Sequence, residues 1–570
     1  MKSNLQFSDT LVTRMVRAVA GSSARVLMGA TLLMLAALPL HAQYYYQEVY
    51  DFGCGYDGCN PYDYGQLVQW KDSNLYGTAA VSEGSAGNIF AVTPSVPGAE
   101  STAWFFSGGV DGGDPQSALT LGSDGNLYGT SYDGGAYGDG TVFRFAYGGF
   151  FKLLHSFNGT DGGGPCAPPV QARDLNFYGW TILGTTYRIT LGGAFKQLGN
   201  VPTNGNNVGC APLVAALDGN LYGVTFADGT NSEGTIFRMT TAGVVTVLYN
   251  FTGAADGAYP NALTLGLDGN LYGTTSFGGN SGVVFQFTLP GYQLNPLYSF
   301  TGLNSSGQNY DGAYPTAGLL AASDGYLYGS TNDGGNNTCG TLFRITTTGT
   351  FHKLDEFPAW ANCANPIDLP PFPLATLVEH TNGSLYGTTN QGGPFGQGNV
   401  YTLTPVSPYH TIKVEGPIWV KPGIPVQLLG QNLSEAVSVT FAGEPTSFQP
   451  GSDTYMTAVV PSDAVDGPVV VTLTTPAGGE EQDQSQQNVH ILPIITNLDP
   501  TSAPVGQEVD IVGGGFAAAS KVTFGGKAAS FTVLTPTLIQ ATVPPKAKTG
   551  KVVVTTPNGT ATSKQTFTVN

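Results

Sequence analysis

The chain has 570 residues, a formal net charge of −18, 80 glycines and 37 prolines, and only 11% charged residues. Such an acidic surface repels phosphate groups, which argues against nucleic acid and anionic lipid as partners. Single cores seldom exceed about 250–300 residues, so several domains are expected, and the composition is typical of short strands joined by tight turns.

Residues 1–42 are the first predicted element, a secretory signal peptide. Arg14, Arg17 and Arg25 precede the apolar run VLMGATLLMLAALPL at 26–40, and Ala42 is expected at the −1 position of the cleavage site. The run is shorter than the ~20 residues that span a bilayer, although an uncleaved anchor is the alternative. We therefore expect a secreted or cell-surface protein without a membrane span in its mature chain.

A motif of eight residues recurs along the next 320 residues or so. It reads DGNLYGTT at 268–275, with close copies at 124–131, 218–225, 324–331 and 382–389, and fainter copies at 72–79 and 173–181. The DG dipeptide favours a hairpin turn. The Leu and Tyr that follow point to opposite faces of a strand, so both faces should be covered by neighbouring sheets. The Gly after Tyr is expected to let the backbone of the next sheet come close.

Seven such units predict a seven-bladed β-propeller over residues 44–408. The repeat tyrosines lie 44 to 58 residues apart, a period that suits four-stranded blades, with a linear solenoid as the alternative. They are Tyr76, Tyr128, Tyr178, Tyr222, Tyr272, Tyr328 and Tyr386. The unit around Tyr178 is short and degenerate. The first unit opens with a segment like a fourth strand and the last unit lacks one, so an N-terminal strand is expected to close the ring.

The six cysteines are expected on one rim of this propeller and, in an exported protein, to be paired. Five fall in inter-blade loops and one in a loop between second and third strands. The nearest pairs in sequence are the predicted disulfides: Cys54–Cys59, Cys166–Cys210 and Cys339–Cys363. A metal site is the rival interpretation, although the spacings match no zinc pattern.

The inter-blade loops share the sequence DGxxP, which begins at Asp57, Asp111, Asp161, Asp256 and Asp311. A ring of carboxylates could bind calcium, a cation or a sugar. The alternative is a turn in which Asp bonds its own backbone, Gly takes a positive φ and Pro starts the next strand. One carboxylate per loop is too few for a hard cation, so the turn is the favoured interpretation, and the five Asp are weak candidates for ligand binding.

The sequence contains no recognisable catalytic motif. His155, His352, His380, His410 and His490 are scattered, and a nucleophile elbow, a zinc-protease motif and a phosphate loop are absent from the sequence. Asp111 with Asp114 is the densest acidic spot. Exposed aromatic residues such as Tyr44, Tyr45, Tyr46, Trp104 and Trp180 could stack on sugars, with packing between blades as the alternative. No cofactor and no catalytic residue are predicted.

Residues 411–570 fall into two similar halves, predicted as immunoglobulin-like β-sandwiches at 411–491 and 492–570. VQLLGQNLSEAVSVTFAGEP at 426–445 matches VDIVGGGFAAASKVTFGGKA at 509–528, an offset of 83 residues. PIITNLDPTSAPVGQEVDIVGGGF, VTFGG and VVVTTPNG in the second half resemble an IPT/TIG domain, and the first half resembles it more loosely. The resemblance implies a spacer or interaction module without catalytic residues.

The repeat array over roughly 46–405 is similar to GloVer tandem repeats, whose hallmark is DGxLYGTT followed by GG and GTVF. That resemblance implies an exported bacterial protein. The predicted fold is therefore all-β, a closed seven-bladed propeller followed by two sandwiches. The predicted function is non-enzymatic binding or scaffolding on polysaccharide or a cell-surface protein. The alternative is an extracellular carbohydrate-active enzyme, a hydrolase or lyase, with the propeller as its catalytic unit.

Overall fold

The computed structural model describes residues 44–53, 59–61, 65–81, 86–203, 209, 211–358, 373–391, 393, 395–406, 409–475 and 477–570. Within these residues the chain is strands and turns apart from one 3₁₀ turn, Leu433–Glu435. The all-β prediction is confirmed. The predicted signal peptide at 1–42 lies outside the described residues.

The strands of the repeat region fall into seven antiparallel sheets, here called blades, in chain order. The first strand is β1 (Tyr44–Asp51). Blade 1 contains β2 (Cys59–Pro61), β3 (Val68–Gln69), β4 (Leu75–Val81), β5 (Asn88–Val92) and β6 (Glu100–Phe105). Blade 2 contains β7 (Thr120–Leu121), β8 (Leu127–Ser131), β9 (Thr141–Ala146) and β10 (Phe150–Ser156). Blade 3 contains β11 (Val170–Gln171), β12 (Phe177–Trp180), β13 (Thr185–Ile189) and β14 (Phe195–Asn200). Blade 4 contains β15 (Val214–Ala215), β16 (Leu221–Thr225), β17 (Thr235–Met239) and β18 (Val245–Asn250). Blade 5 contains β19 (Ala258–Leu265), β20 (Leu271–Phe277), β21 (Val283–Phe287) and β22 (Leu294–Ser299). Blade 6 contains β23 (Leu320–Ala321), β24 (Leu327–Ser330), β25 (Thr341–Ile345) and β26 (Phe351–Glu356). Blade 7 contains β27 (Val378–Glu379), β28 (Leu385–Thr389) and β29 (Asn399–Pro405).

Two blades depart from the simple pattern. In blade 1, β2 and β3 pair with successive parts of β4, through Cys59↔Val81 and Val68↔Tyr76. The degenerate third unit folds as a complete four-stranded blade, and a short turn at 181–184 joins β12 to β13. The seven propeller-like units predicted from the repeats are therefore present.

The first strand of the chain joins the last blade. β1 pairs antiparallel with β29, with Tyr45 opposite Thr404 and Asp51 opposite Asn399, and the sheet order becomes β1-β29-β28-β27. Blade 7 thereby gains the fourth strand that its own sequence lacks, as predicted.

Buried clusters connect each blade to the next. Phe143 and Phe145 of blade 2 belong to a cluster with Trp70 of blade 1, and blades 7 and 1 share a cluster that contains Val400 and Phe90. Each blade carries aromatic and branched side chains on both of its faces. These side chains pack against the blades on either side and are thereby removed from water. The prediction that Leu and Tyr of the motif are both buried is confirmed.

The repeated Asp and Tyr of the motif bond to each other. In six blades the Asp Oδ2 accepts a hydrogen bond of 2.7 to 2.9 Å from the hydroxyl of the Tyr four residues later. In blade 7, Asn382 replaces the Asp and its Nδ2 donates to Tyr386 at 3.1 Å. The buried phenol thus has a polar partner, which a buried hydroxyl requires.

The Gly of the motif has a different role from the one predicted. A Cβ on Gly129 would lie 2.5 Å from Cζ of Phe143, and the same clash with an aromatic ring of the third strand occurs in all seven blades. An aromatic ring of the same blade therefore fills the space above the glycine, rather than the backbone of the next sheet. The prediction was wrong because the contacting ring comes from the adjacent strand of the same blade, 8 to 14 residues further along the chain.

The C-terminal region contains two domains of the same topology. The first contains β30 (Lys413–Val414), β31 (Trp419–Val420), β32 (Pro425–Leu429), β33 (Ala436–Phe441), β34 (Glu444–Pro445), β35 (Phe448–Ser452), β36 (Tyr455–Val459), β37 (Val469–Thr474), β38 (Glu480–Gln484) and β39 (His490–Ile491). The second contains β40 (Ile494–Asp499), β41 (Ser502–Ala503), β42 (Glu508–Gly514), β43 (Lys521–Phe524), β44 (Lys527–Ala529), β45 (Phe531–Thr535), β46 (Leu538–Thr542), β47 (Val552–Thr556), β48 (Gly559–Thr562) and β49 (Thr568–Val569).

These domains are called sandwich 1 and sandwich 2. Sheet order β30-β32-β36-β35 in sandwich 1 corresponds to β40-β42-β46-β45 in sandwich 2, and the other sheets correspond likewise. Each has a separate buried core, centred on Phe441 in the first and Phe524 in the second. The matching topology explains why the two halves share a sequence pattern.

Candidate functional site

The four described carboxylates of the DGxxP loops are each engaged within their own loop. Asp111 accepts from Ser107, and Asp161 accepts from the Asn158 N–H at 3.0 Å. Asp256 accepts from the Thr252 N–H at 2.9 Å and Asp311 from the Thr301 N–H at 2.8 Å, and each also accepts from a tyrosine hydroxyl of the preceding strand. This geometry is that of the predicted turn. Asp57 lies outside the described residues.

The proline of the loop explains the rest of the motif. Pro165 packs against Gly140, the residue before the third strand of the preceding blade. A Cβ on Gly140 would lie only 2.6 Å from Cδ of Pro165, so the two residues fit together because one is a glycine. Pro260 and Pro315 lie in the same way against Gly234 and Gly282. DGxxP is therefore a connector between blades, and among the described residues no group of three His, Cys, Asp or Glu is placed to hold a metal ion.

Asp111 and Asp114, the densest acidic spot of the sequence, do not act as a pair in the structure. Asp111 and Asp114 contact different partners, since Asp114 accepts from Gln116 Nε2 at 2.6 Å, and burial raises the pKa of Asp114.

Cys166 and Cys339 are buried and disulfide-bonded. Their predicted partners, Cys210 and Cys363, lie outside the described residues, as do Cys54 and the side chain of Cys59, so the pairing stays a prediction.

Most of the aromatic candidates pack between strands. Tyr44 is buried and its hydroxyl lies 2.7 Å from that of Tyr328, while the Trp180 indole donates to the Ala211 carbonyl at 2.9 Å. Trp104 stacks on Phe151 with ring centroids 4.7 Å apart, and Tyr46 stacks on Tyr401. Tyr45 is the exposed member of this group.

A row of aromatic side chains that sequence reasoning missed crosses three blades on the face that carries the DGxxP loops. Phe226, Tyr259, Phe277 and Tyr314 follow one another with centroid distances of 5.0, 5.6 and 5.2 Å. Phe277 is 48% exposed. We call these four residues the aromatic row. The tyrosines of the two DGAYP loops are the signal that could have found it.

The two tyrosines of the row occupy an unfavourable backbone conformation. Tyr259 and Tyr314 have φ of 56° and 53°, whereas blade 3 has Gly164 at the corresponding position with φ of 59°. A bulky residue with positive φ is a rare outlier that costs of order 1–3 kcal/mol. Asp114 of blade 2 has a φ of 50° at the same position, so the loop imposes this conformation and the two tyrosines adopt it at a cost.

A cavity runs between the first strands of all seven blades. Its half nearer the DGxxP face has a volume of about 220 Å³, and its lining includes Gln66, Asn261 and Thr316. The half nearer the sandwiches has a volume of about 380 Å³. We call this space the axial cavity. Among the described residues, its lining contains neither carboxylates nor histidines.

Sandwich 1 lies against the opposite face of the blades, where the DG turns are. Thr454 donates to the Lys71 carbonyl at 2.9 Å, and Gly416 lies against Ser123. The segment Gly416–Trp419 and Gln487 contribute to the lining of the axial cavity at this end. Sandwich 2 contacts the same face through Arg173, which donates to the Asn558 carbonyl at 3.3 Å.

Ionisable groups are buried where sandwich 1 meets the blades. Glu379 accepts from Ser323 and Tyr409, and burial raises its pKa. Glu415 is buried with both carboxylate oxygens unpartnered, and burial raises its pKa to about 7 although Lys413 opposes the shift. Burial lowers the pKa of Lys413. Since these groups do not line the axial cavity, they belong to the interface and not to an accessible pocket.

Comparison with solved structures finds similarity of fold at low identity. A fungal alcohol oxidase of the AA5 family in complex with copper is 11% identical, with a TM-score of 0.45 over 78% of this chain and 99% of that chain. A gluconolactonase from Xanthomonas campestris is 11% identical, with a TM-score of 0.34 over 64% and 89%. A surface glycan-binding protein from Prevotella bryantii is 18% identical, with a TM-score of 0.18 over 27% and 38%. Similarity at this level supports no inference about function.

The described residues contain no helix that is long and apolar enough to cross a membrane.

A search of curated protein sequences finds no significant match. The family model of the Gloeobacter/Verrucomicrobia repeat matches residues 38–184 and 181–370, more than half of the chain, and the IPT/TIG domain model matches residues 493–569. The resemblance of the array to the repeat family and that of residues 492–570 to an IPT/TIG domain are thereby confirmed, and the looser resemblance of residues 411–491 stays a prediction. The chain belongs to the Gloeobacter/Verrucomicrobia repeat family and carries an IPT/TIG domain in its C-terminal region.

Proposed function

We propose that the protein is an exported, non-enzymatic binding protein whose seven blades form a closed ring and whose DGxxP face binds a polysaccharide. The aromatic row is the observation that carries this proposal. Flat, partly exposed rings in a continuous line offer rigid apolar surface next to polar loop groups, which suits the faces of successive sugar rings.

Ring closure is supported by contacts between the two ends of the repeat array. β1 completes blade 7, and Gln66 of blade 1 donates to the Leu377 carbonyl of blade 7 at 3.1 Å. A closed ring covers the facing surfaces of blades 1 and 7, which share a buried cluster, and gives the loops of the DGxxP face a rigid base. Export is proposed from the signal-like segment at 1–42.

The enzyme alternative is less well supported. Glycoside hydrolysis needs two carboxyl groups about 5–10 Å apart across the scissile bond, with a raised pKa for the acid. The described lining of the axial cavity has no carboxylate, and the DGxxP carboxylates are engaged in turns. Binding without turnover is therefore the function that this geometry favours.

Affinity electrophoresis of the mature chain through gels that contain β-glucan, xylan or mannan tests the proposal. We expect retardation by one of the three without release of soluble sugar. Phe277→Ala and Tyr314→Gly should each weaken retention by up to about tenfold, since an aromatic contact contributes about 0.5–1.5 kcal/mol. The glycine matches Gly164 and should not impair folding.

Phe150→Ala is the matched control, because this exposed aromatic residue lies on an outer strand away from the row. It should leave retention unchanged. Release of sugar would establish the enzyme alternative. Absence of retardation in all three gels, or capture of a cell-surface protein instead, would overturn polysaccharide binding.

A further inference from the structure

We propose that one end of sandwich 2 binds an acidic polysaccharide, a polyuronate, through a cluster of exposed lysines. We call this cluster the lysine end, and it consists of Lys527, Lys546, Lys548, Lys551 and Lys564. The site is separate from the aromatic row, which lies on the DGxxP face of the blades. Either assignment can therefore fail without the other.

Sandwich 2 has the opposite charge to the rest of the mature chain. Residues 492–570 contain six lysines, no arginine and three acidic residues, a net charge of +3. Residues 43–491 contain 11 basic and 35 acidic residues, a net charge of −24. Sandwich 1, residues 411–491, has the same topology as sandwich 2 but carries two lysines and nine acidic residues. The fold therefore does not require the positive charge of sandwich 2.

Strand pairing brings the five lysines to one end of the domain. Lys551 directly precedes β47, and its carbonyl accepts from the backbone N–H two residues before Lys527, at 3.0 Å. The Nζ of Lys551 donates to the Lys564 carbonyl at 2.5 Å. Lys546 and Lys548 lie in the loop that leads into β47. All five residues are exposed, so an external chain can reach them.

The lysine end is opposite to the end through which sandwich 2 contacts its neighbours. β47 runs from Val552, beside the lysine end, towards the turn at Asn558, which contacts blade 3 and sandwich 1. At ~3.3 Å per residue, the strand separates the two ends by roughly 17 Å. The Debye length at physiological ionic strength is only ~8 Å. Acidic groups at the contacting end are therefore largely screened from the lysines.

The lysines of this domain lack carboxylate partners. Among the described residues, no ion pair includes a lysine of sandwich 2. The acidic residues Asp499, Glu508 and Asp510 lie on the other sheet of the domain, β40-β42-β46-β45. Like charges that lie close together repel one another, and a bound polyanion would relieve this repulsion.

The equivalent end of sandwich 1 is already a contact surface. At the offset of 83 residues, Lys527 corresponds to Glu444 and Lys546 to Asp463. The loop of sandwich 1 that contains Asp463 also carries Asp466, which accepts a hydrogen bond of 2.8 Å from the β47–β48 turn of sandwich 2. This end of the fold therefore serves for recognition in sandwich 1, and its charge is reversed in sandwich 2.

The charge distribution favours a slender acidic chain over a second copy of the protein. A second copy would bring its own strongly acidic blades towards those of the first, whereas a single polysaccharide chain can contact the lysines alone. Lysine acts as a point charge on a flexible stem, which suits carboxylates spaced along a flexible chain. Arginine, whose planar fork is preferred for phosphate and nucleic acid, is absent from residues 492–570.

Isothermal titration calorimetry of the mature chain with polygalacturonate tests the assignment. We expect binding at about 20 mM salt and weaker binding at about 200 mM, because salt screens exposed charges. The double variant Lys527→Glu with Lys546→Asp places the acidic residues of sandwich 1 at the equivalent positions. It should weaken binding about tenfold, since it replaces two attractive contacts by repulsive ones.

Lys421→Glu with Lys521→Glu is the matched control, because it changes the net charge equally at two exposed lysines outside the lysine end. It should bind within about twofold of wild type. Equal weakening in both double variants, absence of binding at low salt, or tighter binding of polyphosphate than of polygalacturonate would overturn the proposal.

Sedimentation velocity at low salt examines the second copy as the occupant. Self-association that Lys527→Glu with Lys546→Asp abolishes would assign the lysine end to a second copy and overturn the polyuronate site. Both double variants should still be retained by the neutral polysaccharide that the DGxxP face binds. Failure of the proposed function would therefore appear in the neutral gels and not in the titration with polygalacturonate.

Discussion

At the scale of single residues, each repeat of the motif uses its polar and small positions to close one blade. The Asp holds the Tyr hydroxyl, and the Gly leaves room for an aromatic ring on the third strand. Where the turn glycine is replaced, as at Ser73 and Leu175, the backbone keeps its positive φ of 64° and 66°. The blade therefore imposes this turn geometry even on residues for which a positive φ is unfavourable.

Gly129→Ala tests the role of the motif glycine. The new methyl would lie 2.5 Å from Cζ of Phe143, so we expect a loss of about 1–3 kcal/mol in the free energy of unfolding, measured by denaturant titration. Gly302→Ala is the control, because its Cβ would meet nothing within 4 Å. Adding Phe143→Leu to Gly129→Ala should recover part of the loss. Equal stability of the two alanine variants would contradict the packing role.

At the scale of elements, the seam between blades 1 and 7 joins the ends of the repeat array by buried polar contacts. Gln69 Nε2 donates to Thr381 Oγ1 at 2.7 Å, and the Thr381 N–H donates to Gln69 Oε1 at 3.0 Å. Beside them, the Asn382 N–H donates to His380 Nδ1, so Nε2 carries the proton and donates to the Ser73 carbonyl. The neutral form of His380 is therefore the one that fits the seam.

His380 should make the seam sensitive to acid. Burial lowers its pKa to about 4, below the ordinary value of 6.5, so the unfolded chain binds more protons between these values. Stability should fall as pH falls from 6.5 to 4, by on the order of 1–3 kcal/mol. Denaturant midpoints at pH 7 and pH 4.5 should differ less in His380→Gln than in wild type and in the control His410→Gln. An identical pH dependence in all three would contradict this.

At the scale of the whole molecule, the sandwiches make the two faces of the propeller-like array unequal. One face is occupied by the sandwiches at the DG turns, and the other presents the DGxxP loops and the aromatic row. The interface contains Glu415, whose buried carboxylate lacks hydrogen-bond partners. Association of the domains should therefore favour the protonated side chain.

Glu415→Gln tests this interface. Its pKa is raised to about 7, above the ordinary 4.5, so stability should fall as pH rises between these values. The glutamine should remove that dependence and make the protein more stable at pH 8 by on the order of 1–3 kcal/mol. Thermal melts at pH 5 and pH 8 measure this, with the exposed Glu508→Gln as control. A variant that keeps the wild-type slope would show that Glu415 is not the responsible group.

Features with short sequence range could be predicted from the sequence. Short runs of apolar and aromatic residues, DG turns and a repeat period predict the strands, the number of blades and the two C-terminal halves, because these signals arise among neighbours in the sequence. The pairing of the first strand with the last blade was predictable too, since the last unit lacks a fourth strand. The turn role of the DGxxP aspartates also followed from local chemistry.

Only the tertiary structure shows which distant segments of the chain contact one another. The seam contact between Gln69 and Thr381 joins residues 312 positions apart, and part of the lining of the axial cavity comes from a domain that follows the repeats. The aromatic row depends on rings from three blades, and the burial of Glu415 depends on docking of sandwich 1. Packing between distant segments sets these features, and no local pattern in the chain encodes a contact whose partner is chosen by how the domains meet.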